Sequence, residues 1–334
     1  MRKSRRLVSL ASLPLVVVPA LLVGCGSSSP SSSPTSSTSS IKIGFLVGDT
    51  GNTGQARVWK SAQAEATKRG VQLLILNSNR DVATESTNMD TFIAEHVSVI
   101  IDDPQDINGS IPAIQRAQAA GIPVITEDDA VTGSGTTYHY VGSDFVDGAG
   151  AQLAAQHVLQ LLNGTGNVVL LPGPVGILVE QVRTQAAQQT LASAPGIHLV
   201  YQQNCANWNE DGGTTQMENA LAKFPSAGSI NAVIGEDGPI ALGAVQALTK
   251  ANRLTGVVTV GTDGNSDELQ SMINGQETFT VFQQKEKFGV AVVDDAIALA
   301  SHKTIPMRDD IPWILIDTVQ LARQYLKDIY GITA

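Results

Sequence analysis

The sequence has few basic residues, few aromatic residues and almost no cysteine. Its 334 residues include 21 Lys and Arg against 31 Asp and Glu, which gives a formal net charge of −10 at pH 7. A nucleic-acid-binding protein needs a basic surface to displace counterions, and adsorption to anionic lipid headgroups needs a polybasic patch. The shortage of basic residues therefore argues against both classes of partner, and acidity is itself sufficient to keep a protein soluble.

Motifs of catalysis and cofactor binding are also absent from the sequence. The five His residues are scattered, and the chain contains neither H-E-x-x-H nor a G-x-S-x-G nucleophile elbow. Gly48, Gly51 and Gly54 follow the first strand-like run, but their spacing is not the G-x-G-x-x-G of a dinucleotide-binding turn. The second strand-like run ends at Asn77, whereas that motif needs an acid to bind the ribose. We therefore predict a protein that is not an enzyme and binds no cofactor or metal.

The N-terminus has the pattern of an export signal. Residues 1–6 carry four basic residues and no acid, and residues 7–23 are apolar apart from two Ser, with Pro14 and Pro19 inside the run. This run is too short and too interrupted by proline for a good spanning helix, but it fits a secretory signal. Leu22-Val23-Gly24-Cys25 resembles the lipobox of bacterial lipoproteins, in which the Cys thiol is lipidated and becomes the new N-terminus. We predict a signal peptide over residues 1–24 and an extracytoplasmic protein anchored to the cell membrane through Cys25, on the periplasmic face or at the cell surface.

The segment after Cys25 has the composition of a tether. Residues 26–40 consist of ten Ser, two Thr, two Pro and one Gly, so they have no apolar side chain to bury against the entropy of ordering. Removal of the signal peptide would change the formal net charge from −10 to −14. Lipidation of Cys25 would leave Cys205 without an intramolecular partner, so about 290 residues must fold on their own hydrophobic cores.

Beyond the tether, short β-branched runs alternate with longer helical stretches. Several runs are apolar almost throughout, as expected for strands that helices cover on both faces. Strands alternating with helices of this length predict right-handed βαβ units and parallel sheets. The predicted strands are 41–48, 71–77, 97–102, 123–127, 167–171, 197–203, 230–235, 257–261 and 278–283.

This many units predicts two doubly wound α/β lobes joined by several strands acting as a hinge. We interpret the extended segment 138–145 as a crossover between the lobes, and 312–317 as a further strand followed by a helix at 321–330. The predicted N-terminal lobe comprises residues 41–143 and 284–311, and the C-terminal lobe comprises 144–283 and 312–334. Ligands of open α/β sheets bind beyond the carboxyl ends of the strands, so these ends would line one shared cleft.

Five sequence runs resemble the type I periplasmic sugar-binding proteins, the solute receptors of ABC importers of the ribose, xylose and multiple-sugar kind. The runs occur in the family's order with few gaps, and they are residues 121–125, 217–221, 240–248, 260–264 and 273–275. The resemblance implies a monomeric receptor that captures a monosaccharide or related polyol in the cleft and delivers it to a membrane permease. A sensory role, in which the closed receptor docks on a chemoreceptor or sensor kinase, would use the same residues.

The resemblance also implies a set of ligand-binding residues. Sugar hydroxyls need both donors and acceptors in a dry pocket, and the C–H faces of a sugar ring need flat aromatic surface. Matching positions place acceptors at Asp128 and Asp263, a bidentate donor at Arg183, a stacking ring at Trp208 and a polar contact near a hinge at Gln283. Trp208 lies in a polar loop, where we expect little around it to bury it locally.

Four features depart from the family pattern, one of which is Phe145 after Asp144, where the family commonly has Asn. Asp129 follows Asp128 where the family usually has Arg, and Asp237 stands where it usually has Asn. The loop at 49–55 lacks an aromatic pair, for which Arg57 or Trp59 is a candidate replacement. Uncompensated buried carboxylates are costly. Either some of these carboxylates point away from the cleft, or the ligand is an amino sugar, another cationic polyol, or a sugar with a bound cation.

Overall fold

The computed structural model describes residues 41–133, 138–144 and 147–334. The predicted signal peptide, the lipidation site Cys25 and the tether lie outside these residues, as does the end of the predicted crossover. In chain order the strands are β1 Lys42–Val47, β2 Gln72–Asn77, β3 Val99–Asp102, β4 Val124–Glu127, β5 His139–Gly142, β6 Thr165–Leu171, β7 Gly196–Gln202, β8 Ala232–Gly235, β9 Val258–Asp263, β10 Phe279–Phe282, β11 Arg308–Asp310 and β12 Ile314–Ile316.

The helices fill the connections between these strands. In chain order they are α1 Thr53–Arg69, α2 Val82–Ala94, α3 Ile111–Ala119, α4 Ala149–Leu161, α5 Leu178–Ala192, α6 Glu210–Lys223, α7 Gly238–Lys250, α8 Ser266–Ile273, α9 Lys285–Ala300 and α10 Val319–Tyr330. Local sequence fixes many of their ends. Asn52 and Asp81 cap the N-termini of α1 and α2, while Gly70 ends α1 in the left-handed conformation that glycine adopts without strain.

The strands form two six-stranded sheets, one in each lobe. The first sheet has the order β2-β1-β3-β4-β5-β11 and is parallel throughout. The second has the order β7-β6-β8-β9-β10-β12. Its last strand, β12, runs antiparallel to β10, whereas its other pairs are parallel. The predicted two-lobed α/β fold is confirmed, with three differences. β12 reverses direction, β11 was not predicted, and residues 139–142 of the predicted crossover form β5 within the first sheet.

Each sheet is buried on both faces, which explains the almost continuous apolar runs. Alternate residues of β1, such as Phe45, join a core with Val58 of α1 and Phe288 of α9. The intervening Leu46 faces the opposite side and packs in the cluster that contains Phe92 of α2. The second lobe repeats this arrangement, with α4, α5, α8 and α10 covering one face and α6 and α7 the other. Successive side chains of a strand point to opposite faces, so a doubly covered strand must be apolar at every position.

The chain passes between the two lobes at three places. It leaves the first sheet after β5, returns from β10 into α9, which packs on α1 and on the first sheet, and crosses again between β11 and β12. These connections lie close to Asp144, Gln283 and Pro312, and we expect the lobes to move about them as hinges. The hinge motion itself stays a prediction.

Candidate ligand-binding site

A polar cleft lies where the carboxyl ends of the strands of both lobes face each other. Asn52, Gln55, Arg80, Asp128, Asp129 and Lys285 line it from the first lobe. Val179, Arg183, Trp208, Asp237 and Asp263 line it from the second lobe. Six of the seven residues proposed from the sequence are therefore brought together. The exception, Gln283, lies directly behind the wall.

Asp128 is the most heavily bonded acceptor of the first lobe. It follows β4 with a positive φ of 59°, which turns its carboxylate toward the cleft wall. Its oxygens accept hydrogen bonds from Lys285 Nζ at 2.6 Å and from Gln283 Nε2 at 3.0 Å. Burial opposes ionisation, but Lys285 and Arg183 outweigh it and hold the pKa of Asp128 below its ordinary value. Asp128 is thus an anionic acceptor, and the fully buried Gln283 holds it in place from behind.

Arg183, on α5, is fixed on several sides. Its Nε donates to Asp144 Oδ2 at 2.9 Å, its Nη1 donates to the carbonyl oxygen of Glu236 at 2.8 Å, and its guanidinium lies 5.2 Å from the ring centroid of Trp313. The side chain is buried, yet Nη2 has no hydrogen-bond partner among the described residues. Arg183 therefore presents a pre-oriented N–H donor group at the cleft wall.

Trp208 forms the aromatic part of the wall, but its surroundings differ from the sequence-based expectation. The expectation that little would bury it is wrong, since the residue is only 9% exposed and joins a hydrophobic cluster that contains Ile177, Val179 and Cys205. Its ring lies against the backbone of Gly173, where an added Cβ would approach the ring to 2.0 Å. Close approach is possible because Gly173 has no side chain. Trp208 is consequently both core and cleft surface.

The three other aspartates on the wall accept N–H groups but have no ion-pair partner within 4.0 Å among the described residues. Asp129 Oδ1 accepts from the backbone N–H of Val179 at 3.1 Å, across the cleft. Asp237 caps α7 by accepting from the backbone N–H of Ile240 at 2.7 Å. Asp263, at the end of β9, accepts from Asn265 Nδ2 at 3.4 Å.

Burial and like charge oppose the ionisation of these three carboxyls. Burial, reinforced by Asp263, raises the pKa of Asp237 to about 7. Burial, together with Asp103 and Asp128, raises the pKa of Asp129 well above its ordinary value. Burial also raises the pKa of Asp263, although Lys285 and Arg183 offset part of that effect. The site thus combines one stable anion with carboxyls whose ionisation depends on what lies beside them.

Sequence reasoning missed Lys285, Gln55, Asn52, Arg80 and Val179. Lys285 follows Gln283 by two residues, and its position at the first turn of α9 carries it back to the first lobe beside Asp128. A lysine just after a predicted strand end was the available signal. Val179 contributes its backbone N–H, for which the sequence offers no signal.

Neither candidate for the missing aromatic pair lines the cleft. The Trp59 ring packs against the core of the first lobe. Arg57 instead joins the two lobes: it donates to the carbonyl oxygens of Asp263 at 3.1 Å and Gln283 at 2.9 Å, and it pairs with Glu286. The suggestion that Arg57 or Trp59 replaces an aromatic ligand contact is therefore wrong, because both side chains are engaged elsewhere.

The two lobes are closed on each other. Besides the contacts of Arg57 and Asp129, the backbone N–H of Ile107 in the first lobe donates to the carbonyl oxygen of Gly176 in the second at 3.1 Å. Within the cleft, the volume that the centre of a water-sized molecule can occupy is only about 30 Å³. This arrangement can enclose a small polar molecule, with direct contacts between the lobes around it.

Two α/β lobes, connected at three places around a polar cleft, define a bilobal solute-binding protein. Residues 43–304 match the family described as the periplasmic binding protein domain, and the chain belongs to that family. The resemblance to type I periplasmic sugar-binding proteins is confirmed. None of the described helices is long and apolar enough to span a membrane.

Two curated relatives and one solved structure illustrate the similarity. The chain is 31% identical over 264 residues to a xylitol-binding protein of Mycolicibacterium smegmatis, covering 78% of this chain and 73% of the relative. It is 31% identical over 260 residues to a putative rhizopine-binding protein of Rhizobium meliloti, covering 76% and 82%. An ABC transporter solute-binding protein from Bacillus halodurans with bound myo-inositol superposes with a TM-score of 0.80 at 25% identity, covering 87% of this chain and 99% of the other.

Proposed function

We propose that the protein is an extracytoplasmic receptor that binds a monosaccharide or related polyol in the cleft and delivers it to an ABC importer. The observation that carries the proposal is the cleft itself, where the anionic Asp128, the pre-oriented Arg183 and the ring of Trp208 converge in a buried space between two lobes. Acceptors, donors and flat apolar surface are what adjacent hydroxyls on a carbon ring or chain require. The names of the relatives, which include a xylitol-binding protein and ribose import binding proteins, support the same class.

The receptor works without making or breaking a bond. Ligand that contacts both lobes stabilises the closed arrangement relative to an open one, and the closed surface is what a permease would bind. An affinity near micromolar, about −8 kcal/mol, suits a receptor that must also release its ligand. The further parts of this proposal are a lipid anchor at Cys25, a monomeric receptor and the absence of catalysis.

The direct test is isothermal titration calorimetry of ligand-depleted protein against pentoses, hexoses, pentitols and inositols. We expect at least one of them to bind, and mass spectrometry of small molecules released from freshly purified protein should identify the same class. Arg183→Lys keeps the positive charge beside Asp144 but loses the planar fork, so it should weaken binding at least tenfold. Arg323→Lys, on the exposed side of α10, is the matched control and should bind normally. A protein that binds no polyol, or that converts one chemically, would refute the proposal.

Delivery and anchoring need separate measurements. Deletion of the gene should abolish uptake of the identified ligand, whereas intact uptake with a lost transcriptional or chemotactic response would favour a sensory receptor. Cys25→Ser should move the protein from the detergent phase to the aqueous phase in phase partition and abolish fatty-acid labelling. Light scattering should give the mass of a monomer.

A further inference from the structure

The cleft wall carries more carboxyl groups than cationic side chains. Its four aspartates face three cationic side chains, Arg80, Arg183 and Lys285. Two of those cations already have a carboxylate partner: Lys285 pairs with Asp128 at 2.6 Å, and Arg183 pairs with Asp144 at 2.9 Å. Asp144 does not line the cleft, so the ion pair of Arg183 is made with a carboxyl group outside the wall.

The groups directly behind the wall are acids rather than cations. Three further acids, Asp103, Glu127 and Glu236, are at most 1% exposed and lie directly behind the wall aspartates in sequence or in space. Glu127 has no hydrogen-bond partner for either carboxylate oxygen among the described residues, and Asp103 has none for Oδ1. Arg57, the other buried cation of this region, is paired with Glu286. The surrounding protein therefore does not supply the missing positive charge.

Asp129 and Asp237 are the least compensated of the wall carboxylates. The cations that act on them are Arg80, shared by both, and Arg183, which also acts on Asp237. Asp263 has more nearby positive charge, because Lys285, Arg183 and Arg57 all favour its ionised form. Asp129 and Asp237 face the cleft from opposite lobes.

The charge of a buried carboxyl group without a neighbouring cation can be neutralised by a proton or by a cationic ligand. An N–H donor favours the ionised form of a carboxyl group without excluding the protonated form. Asp129 accepts the N–H of Val179, and Asp237 accepts the N–H of Ile240. Burial still raises the pKa of both groups, so each can hold a proton when no ligand is bound. Neither has an ion-pair partner among the described residues, so a cationic ligand would displace that proton and become the partner of the ionised carboxylates.

The remaining buried polar atoms suit hydroxyl groups. Arg183 Nη2 is a donor and Gln55 Oε1 is an acceptor, and both are buried without a partner among the described residues. Their residues line the same cleft and are each at most 3% exposed. The wall therefore has one part, at Arg183 and Gln55, that can bind hydroxyl groups, and another, at Asp129 and Asp237, that can bind one positive charge. Both parts line the same small space.

We propose that the ligand is a small polyol carrying one ammonium group, such as an amino sugar or an aminocyclitol, whose ammonium binds between Asp129 and Asp237. This inference rests on the proposed function and narrows its ligand class. An ammonium has three donors in a compact geometry, enough to bridge carboxylates from the two lobes. Binding it would offset the repulsion that Asp103 and Asp128 exert on Asp129 and the repulsion that Asp263 exerts on Asp237.

The test compares polyols that differ only by an amine in place of a hydroxyl. Titration calorimetry at pH 7 with EDTA present would use myo-inositol against a monoamino-inositol, D-glucose against D-glucosamine, and xylitol against 1-amino-1-deoxyxylitol. We expect at least one amine to bind at least tenfold more tightly than its hydroxyl counterpart. N-acetylation of that amine removes the charge and should abolish the preference.

Two isosteric variants locate the ammonium. Asp129→Asn and Asp237→Asn should each weaken binding of the amine at least tenfold more than they weaken binding of its neutral counterpart. A merely structural role would weaken both ligands together. Asp328→Asn, an exposed carboxylate on α10, is the control and should change neither affinity. Thermal unfolding of each variant checks that the fold is retained.

The outcomes separate this inference from the proposed function. If neutral polyols bind and their amines bind equally or more weakly, the ammonium assignment is wrong while the polyol receptor stands. If no polyol of either kind binds, both fall. If the amine preference survives in both Asn variants, the charge is recognised elsewhere and the assignment to Asp129 and Asp237 is overturned.

Discussion

Replacement of Lys285 by Met tests the electrostatics of the cleft most directly. The Lys285 ammonium lies 2.6 Å from Asp128 Oδ2, and the two side chains are only 5% and 10% exposed. Removing one partner of a buried ion pair leaves an uncompensated charge and typically costs about 3–5 kcal/mol. Since the free energy of unfolding of a protein is commonly about 5–15 kcal/mol, the variant should show a large fall in its urea midpoint.

Two further variants identify the cause of that loss. Lys287→Met changes an exposed lysine two positions later in the same helical turn, so its effect should stay within about 0.5 kcal/mol. The double variant Asp128→Asn/Lys285→Met removes both charges and should recover most of the stability that Lys285→Met loses. If the double variant is as unstable as Lys285→Met, lost packing rather than an unpaired carboxylate is responsible, and the reasoning is refuted.

The pH dependence of the same variant has a definite sign. In the native protein the pKa of Asp128 is below its ordinary value, so the ion pair persists from about pH 5 to pH 8. Without Lys285, burial raises the pKa of Asp128, so the folded variant binds a proton more readily than the unfolded chain. The deficit of Lys285→Met relative to the native protein should therefore shrink toward pH 5 and grow toward pH 8. A deficit that is constant over this range would contradict the assignment.

Three further predictions concern other parts of the cleft. Trp208→Ala should strongly weaken ligand binding and also lower the free energy of unfolding by about 3–5 kcal/mol, because the ring is buried. Gly173→Ala should displace the Trp208 ring and weaken binding with a smaller loss of stability. Calorimetry measures the affinity of each variant, and urea unfolding measures its stability. Arg57→Met removes contacts between the lobes and should increase the radius of gyration of the ligand-free protein in small-angle scattering, whereas an unchanged radius would show that Arg57 does not hold the lobes closed. Burial raises the pKa of Glu236 to about 8 and that of Asp237 to about 7, so folding takes up protons. The free energy of unfolding should therefore fall as pH rises from about 5 to 9. Glu236→Gln should flatten this pH dependence, and an unaltered slope would contradict the role of Glu236.

The strands that the sequence predicts correctly are those whose identity is local. Runs such as Ile43–Val47 are apolar at successive positions because helices cover both faces, and that pattern is visible without knowing the partners. β11 was missed because Arg308–Asp310 is polar and short, and it becomes a strand only by pairing with β5. The antiparallel direction of β12 is likewise a property of its pairing with β10.

The candidate site divides in the same way. Asp128, Asp129, Asp237 and Asp263 follow strand ends, so topology alone brings them to one cleft once a doubly wound fold is assumed. Lys285 follows a strand end too, but its importance depends on the chain crossing back to the first lobe there. The burial of Trp208 depends on Gly173, which precedes it by a long stretch of chain and bears no side chain to block the ring.

By itself the amino-acid sequence determined the two-lobed α/β architecture and the acidic character of the cleft, because both follow from the order of apolar runs and from which residues end them. Only the tertiary structure decided how that acidity is balanced: which carboxylates receive Lys285 or Arg183, and which receive only an N–H donor. The physical reason is that charge compensation depends on distances of a few ångströms between groups far apart in the chain, and the sequence order does not contain those distances.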